Sequence, residues 1–243
     1  MPGCLTRIAK HTLPSLTPRR TAIDNLEGVQ AAKALIFDLD GVIVDSTPMH
    51  TTAWERYLER HGVVPTAVRS RMLGLHNDDV VRRLFGEGLS PAEIARHVVE
   101  KEALYREMIG PRLGEFLVPG IKEFLAGMEE TPMAVASNAE AANVEFVLDR
   151  SGLRSYFRVV IDGNQVSRPK PQPDIYLETA RRLNARPSDC LVFEDSQVGV
   201  RAALAAGCRV IGVSTSTSDL PGTALVIADF TDRRLQGLAT IQK

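Results

Sequence analysis

The chain has 243 residues, 44% of them hydrophobic and 24% charged, with a formal net charge of -1. That length buries a core as one domain or as one domain carrying a smaller insertion, and the balanced charge lacks the basic surplus that nucleic acid attracts. Charge or proline interrupts every apolar run short of the roughly 18–20 residues that span a bilayer, so a membrane partner is excluded too. The cysteines Cys4, Cys190 and Cys208 are few and lack CxxC spacing, which speaks against a disulfide framework or a zinc site. A cytoplasmic monomer acting on a small molecule is the expectation.

Residues 1–30 read as a mobile extension: Arg7, Lys10, Arg19 and Arg20 precede the first acid, Asp24, among scattered Pro, Ser and Thr. Pro14 and Pro18 break any long amphipathic helix there, which argues against a transit peptide. Short, non-alternating apolar runs follow at Ala34–Phe37, Met133–Ala136, Val159–Ile161, Leu191–Phe193 and Val210–Val213. Such runs predict strands buried on both faces of a parallel sheet.

Between the first two runs, residues 47–117 are helical in pattern and too long for a crossover. Pro48 opens a helix carrying Met49, Ala53, Trp54, Tyr57 and Leu58, which Gly62 closes. Ser90, Pro91 and Glu93 form a capping-box signature for a later helix carrying Ile94, Val98, Tyr105 and Met108. Further on, Pro173 opens a helix with Ile175, Tyr176, Thr179, Ala180 and Leu183 on its repeat, and Gly207 ends one carrying Val198, Ala202 and Ala205. The predicted fold is therefore α/β: a Rossmann-like parallel-sheet core at 31–46 and 118–243, with a small all-helical cap domain inserted at 47–117. Hinges are expected near Asp45-Ser46 and Val118-Pro119-Gly120.

In an open parallel sheet, ligands bind beyond the carboxyl ends of the strands. The first run ends in Asp38-Leu39-Asp40-Gly41, the second in Ser137-Asn138, the third in Asp162 and the fourth in Glu194-Asp195. Carboxylates gathered at one edge repel each other unless a cation joins them, and an all-oxygen donor set favours a hard ion such as Mg²⁺. Asp38 and Asp40, two apart in extended chain, share one side, so the first can attack phosphorus while the second handles the proton. Lys170, in the proline-stiffened Arg168-Pro169-Lys170-Pro171, is the fixed cation, and Ser137 with the amides around Asn138 can donate to phosphate oxygens. Each feature alone has an ordinary structural reading, a solvated turn, a helix cap or a surface charge; their joint placement at successive strand ends does not.

These residues, in this order, resemble the four motifs of the haloacid dehalogenase superfamily: DxDG after an apolar strand, Ser137, Lys170 in K-P-x-P-D-x-Y, and Glu194-Asp195. The segment after Asp45 resembles its C1-type cap, and Asp38 to Trp54 resembles the beta-phosphoglucomutase-like phosphatase branch. The resemblance implies Asp38 as nucleophile, Asp40 as acid/base, Ser137 and Lys170 as phosphate ligands, and Mg²⁺ held by Asp38, the Asp40 carbonyl, Glu194 and Asp195. Glu194 could instead tune Asp195, and Asp162 is read as structural. Gly41, His50, Gly74, Asn77 and Asn138 complete the expected substrate site, with His50 facing it from the cap.

The acid at position 40 argues for transfer of a phosphoryl group to oxygen. Resembling mutases hold a second phosphate with basic residues in a cap loop, whereas Leu73 and Asn77 stand at the corresponding positions of Arg71–Asp79. The expected function is thus Mg²⁺-dependent hydrolysis of a small phosphorylated metabolite, such as a sugar phosphate, through an aspartyl-phosphate. A phosphomutase or a non-catalytic phospholigand-binding protein is the alternative.

Overall fold

A computed structural model describes residues 32–64 and 77–239. The extension at 1–30 and the loop residues Arg71, Leu73, Gly74 and His76 lie outside the described residues. The first strand, β1 (Ala34–Phe37), is buried along its whole length. Its alternate side chains enter different cores: Ala34 and Ile36 pack with Cys190 and Val192, and Leu35 and Phe37 with Leu191 and Phe193. This two-sided burial is why the strand shows no polar alternation. The Phe37 and Phe193 rings stack with centroids 4.9 Å apart.

The other strands are β2 (Met133–Ala136), β3 (Val159–Ile161), β4 (Cys190–Glu194), β5 (Arg209–Val213) and β6 (Leu225–Ile227). They form one six-stranded sheet in the order β3-β2-β1-β4-β5-β6, with every neighbouring pair parallel. The pattern had missed β6, an edge strand of three residues, two of them half-buried, whose apolar signal is too short to stand out. Because β1 lies between β2 and β4, the residues after it meet those following both neighbours.

The described residues of the insertion include the helices α1 (Thr47–Arg60), α2 (Asn77–Phe85) and α3 (Pro91–Ile109). Pro48 sits in the first turn of α1, and Gly62 follows its end at φ +69°. At α3 the capping box is formed: Glu93 N donates to Ser90 Oγ at 3.3 Å and Ser90 N to Glu93 Oε2 at 2.8 Å. Trp54, Tyr57 and Leu58 meet Val80, Val81, Ile94, Val98 and Leu104 in a core separate from those of the sheet. No helix among the described residues is long and apolar enough to cross a membrane.

The two connections between sheet and helical insertion run side by side. Asp45 N donates to Phe116 O at 2.8 Å and Val118 N to Ile43 O at 3.0 Å, so the outgoing and returning segments share backbone hydrogen bonds. The chain then forms α4 (Ile121–Gly127), α5 (Ala141–Ser151) after β2, α6 (Asp174–Arg182) after β3, α7 (Gln197–Ala205) after β4 and the short α8 (Gln236–Ala239).

Candidate active site

Immediately after β1, Asp38 is buried and accepts a hydrogen bond from Lys170 Nζ at 2.8 Å. Lys170 precedes α6, yet its ammonium reaches across the sheet edge, donating also to Ala136 O at 3.0 Å and Glu194 Oε1 at 2.6 Å. Burial works against this charged amine, but the Asp38 and Glu194 carboxylates hold its pKa above the ordinary range. Asp38 itself is pushed up to about 7, chiefly by burial, with Glu194 and Asp40 adding to the rise and Lys170 opposing it.

At the end of β4, Glu194 is wholly buried and saturated with donors. Its Oε1 accepts from Lys170 and from the Tyr176 hydroxyl at 2.6 Å, and its Oε2 from Asp195 N, Ser196 N and Ser196 Oγ at 3.1–3.3 Å. A Cβ at Gly199 would lie 1.8 Å from Glu194 Oε1, so this carboxylate packs where α7 has no side chain. Asp195 accepts from Ser216 Oγ, and burial beside Glu194 and Asp38 raises its pKa well above the carboxylate range. Gly41, at φ +79°, lets the chain turn under Asp195; a Cβ there would fall 2.0 Å from Asp195 Oδ2.

One oxygen from each of Asp38, Glu194 and Asp195 lies within 4.8 Å of the others. Three buried carboxylates with Lys170 as their near cation leave negative charge uncompensated, and their hard oxygen donors fit a divalent ion such as Mg²⁺.

Asp40 points to the helical side, accepting from Ser46 Oγ at 2.5 Å, with His50 Nε2 at 3.9 Å. Burial raises the Asp40 pKa against the opposing Ser46 hydrogen bond. Ser137, buried after β2, accepts from Ala139 N at 3.1 Å, and Asn138 Oδ1 accepts from Lys170 N at 3.2 Å. A cavity of about 320 Å³ joins Asp38, Asp40, Ser137, Asn138, Lys170 and Asp195 to His50 and Asn77 on the helical side. Glu194 stands behind its wall, and Asp162 turns back to accept from Asn164 N and Gln165 Nε2.

Across that cavity stand residues the pattern had passed over. Lys101 and Glu102, in mid-α3, are each 1% exposed and form an ion pair at 2.6 Å. Lys101 Nζ also lies 2.8 Å from His50 Nδ1. Burial and the Lys101 charge push the His50 pKa down to about 3, which keeps the ring neutral. Asn77 Nδ2 donates to Glu102 Oε1 at 2.9 Å, and Asn143 of α5 donates to Glu102 Oε2 at 2.7 Å. The signal for Lys101 was present: it falls on the apolar stripe of α3 between Val98 and Tyr105, where a charge demands a buried partner. Tyr176 was legible as a core position, but the use of its hydroxyl was not.

The haloacid dehalogenase-like hydrolase family matches residues 32–207, which is most of the chain. The chain belongs to this family. Among its relatives, the fructose-1-phosphate phosphatase YqaB of Escherichia coli K12 is 34% identical over 185 residues, covering 74% of this chain and 95% of the relative. A phosphorylated carbohydrates phosphatase of Thermotoga maritima is 33% identical over 215 residues, covering 81% of this chain and 91% of that one. The beta-phosphoglucomutase of Clostridium difficile superposes with a TM-score of 0.73 at 26% identity, covering 82% of this chain and 92% of its own. This haloacid dehalogenase-like chain is a phosphoester hydrolase of the beta-phosphoglucomutase-like branch, with a Rossmann-like core and a helical cap.

Proposed function

We propose that this hydrolase is a Mg²⁺-dependent phosphatase that releases phosphate from a small sugar-like phosphomonoester by way of an aspartyl-phosphate on Asp38. The contact between Lys170 Nζ and Asp38 Oδ1 carries the reading: a buried ammonium held against a buried carboxylate at the mouth of a polar cavity. The cation offsets the repulsion an anionic nucleophile meets on approaching an anionic phosphoryl group.

Asp38 and Asp195, with the Asp40 carbonyl, would hold the Mg²⁺. Glu194, whose oxygens already accept from Lys170, Tyr176 and Ser196, would add negative charge and brace Lys170. Bound there, the ion would neutralise phosphate oxygens and orient the phosphoryl group. An Asp38 oxygen attacks phosphorus while the bond to the sugar oxygen breaks, and Asp40 delivers a proton to that leaving oxygen. Water then attacks the aspartyl-phosphate, giving its proton to Asp40, and the bond from phosphorus to Asp38 breaks to release phosphate. Ser137 and the amides beside Asn138 bind the transferring group throughout. Ser46, whose hydroxyl donates to Asp40, orients that carboxylate, and neutral His50 faces it from the cap side at 3.9 Å.

The similarity to two sugar-phosphate phosphatases supports a carbohydrate-like substrate. Phosphate release from para-nitrophenyl phosphate tests the chemistry. Chelation should abolish it, Mg²⁺ should restore it, and Ca²⁺, which takes longer and looser contacts, should support it poorly. Full turnover in chelator by metal-free protein would overturn the proposal.

A further inference from the structure

The cap side of the cavity contains a charge pair that the phosphatase chemistry does not use. Among the described residues lining the cavity, Lys101 and Lys170 are the lysines: burial lowers the Lys101 pKa while the Glu102 carboxylate supports its charge, and Lys170 is engaged by Asp38 and Glu194. Lys101 is thus the cation available to the far end of a substrate, but Glu102 Oε1 sits 2.6 Å from it. Glu102 remains ionised: burial opposes its charge, yet the Lys101 ammonium, with hydrogen bonds from Lys101 and Asn143, brings its pKa down to about 2. The adjoining His50 is neutral, so it adds no charge.

This pair lines the cap side of the cavity that also holds Asp40. From Asp40, His50 Nε2 is 3.9 Å away, and the opposite ring nitrogen of His50 lies 2.8 Å from Lys101 Nζ. Lys101 and Glu102 therefore stand one imidazole beyond the group that meets the leaving oxygen. The carboxylate is held there by Asn77 and by Asn143, whose own Oδ1 accepts from Arg106 at 2.6 Å. Rotating it away would break these bonds inside a buried site.

We infer that Glu102 is a specificity-determining residue: by neutralising Lys101 it selects a substrate whose far end carries hydroxyl groups and rejects one bearing a second phosphate. A sugar hydroxyl can donate to the carboxylate. A phosphate dianion has no proton to offer it, and is repelled at close range in a low-dielectric cavity. This inference rests on the phosphatase reading, since it concerns the substrate of the same site.

Fructose 1-phosphate and fructose 1,6-bisphosphate differ by one distal phosphate and form the test pair, assayed by phosphate release with Mg²⁺ beside para-nitrophenyl phosphate. The unaltered enzyme should prefer the monophosphate at least tenfold in kcat/KM. Glu102→Gln frees the Lys101 charge and should narrow that ratio at least tenfold, mainly through a lower KM for the bisphosphate. A merely structural role for Glu102 would depress both substrates together and leave the ratio in place, which would overturn the inference. Equal or better use of the bisphosphate by the unaltered enzyme would also overturn it, whether or not the variant folds. Turnover of none of the three compounds would instead reject the phosphatase reading, and this inference with it.

Discussion

Two lysines are buried on opposite sides of one cavity, and their surroundings differ in charge. On the sheet side, Lys170 joins Asp38 and Glu194, with Asp195 close by, so the acids outnumber the cation. On the cap side, Lys101 meets Glu102 and a neutral His50, and the pair closes its own charge. A net negative cluster attracts a metal ion and, through it, a phosphoryl group, whereas a neutral pair offers polarity without such a demand. On the proposed reading, the sheet side reacts and the cap side discriminates. The same ion-pair chemistry serves both because what matters is the charge left over, not the number of bonds formed.

The largest effect is expected from removing the Asp38 carboxylate. Asp38→Asn is nearly isosteric, so the fold should survive while phosphate release falls by about 10⁴-fold or more. Circular dichroism and a thermal melt alongside the assay would check both halves, and substantial activity in a folded variant would mean that another group attacks.

A smaller effect, on stability, is expected at the cap. Lys101→Met fills similar space but leaves Glu102 charged and 1% exposed without its cation, a change that typically costs about 3–5 kcal/mol. Urea unfolding would measure it. A loss well under 1 kcal/mol would show that the pair is not ionised, and the contrast between the two lysines would disappear.

The smallest effect is expected in the pH dependence of stability. Glu102 is lowered in the folded chain from its ordinary 4.5 to about 2, so the stabilisation it brings is fully present above pH 4.5 and is lost as pH falls towards 2. Unfolding free energy followed from pH 5 down to pH 2.5 should therefore fall less steeply in Glu102→Gln than in the unaltered chain, by about 1–3 kcal/mol across that window. Identical slopes would place the acid sensitivity elsewhere.

Five of the six parallel strands and the carboxylates beyond their ends were legible in the amino-acid order. Strands buried on both faces must be apolar throughout, and side chains just beyond their ends must converge, so Asp38, Asp40, Ser137 and Glu194-Asp195 could be picked out by position alone. Local chemistry also announced itself at α3, where Ser90 and Glu93 satisfy the backbone whatever lies elsewhere in the fold. The remaining contacts depend on how distant segments pack together. That Glu194 is enclosed by Lys170, Tyr176 and Ser196 depends on α6 and α7 arriving at the same point, with Gly199 leaving room. Lys101 falls on the apolar stripe of α3, but that spacing does not name the groups that receive its charge. Only the meeting of α1, α2 and α5 around α3 buries Lys101 and Glu102, brings His50, Asn77 and Asn143 to their sides and turns them toward Asp40. A buried ion pair is a property of its surroundings, and those surroundings come from segments separated by as many as 51 positions along the chain.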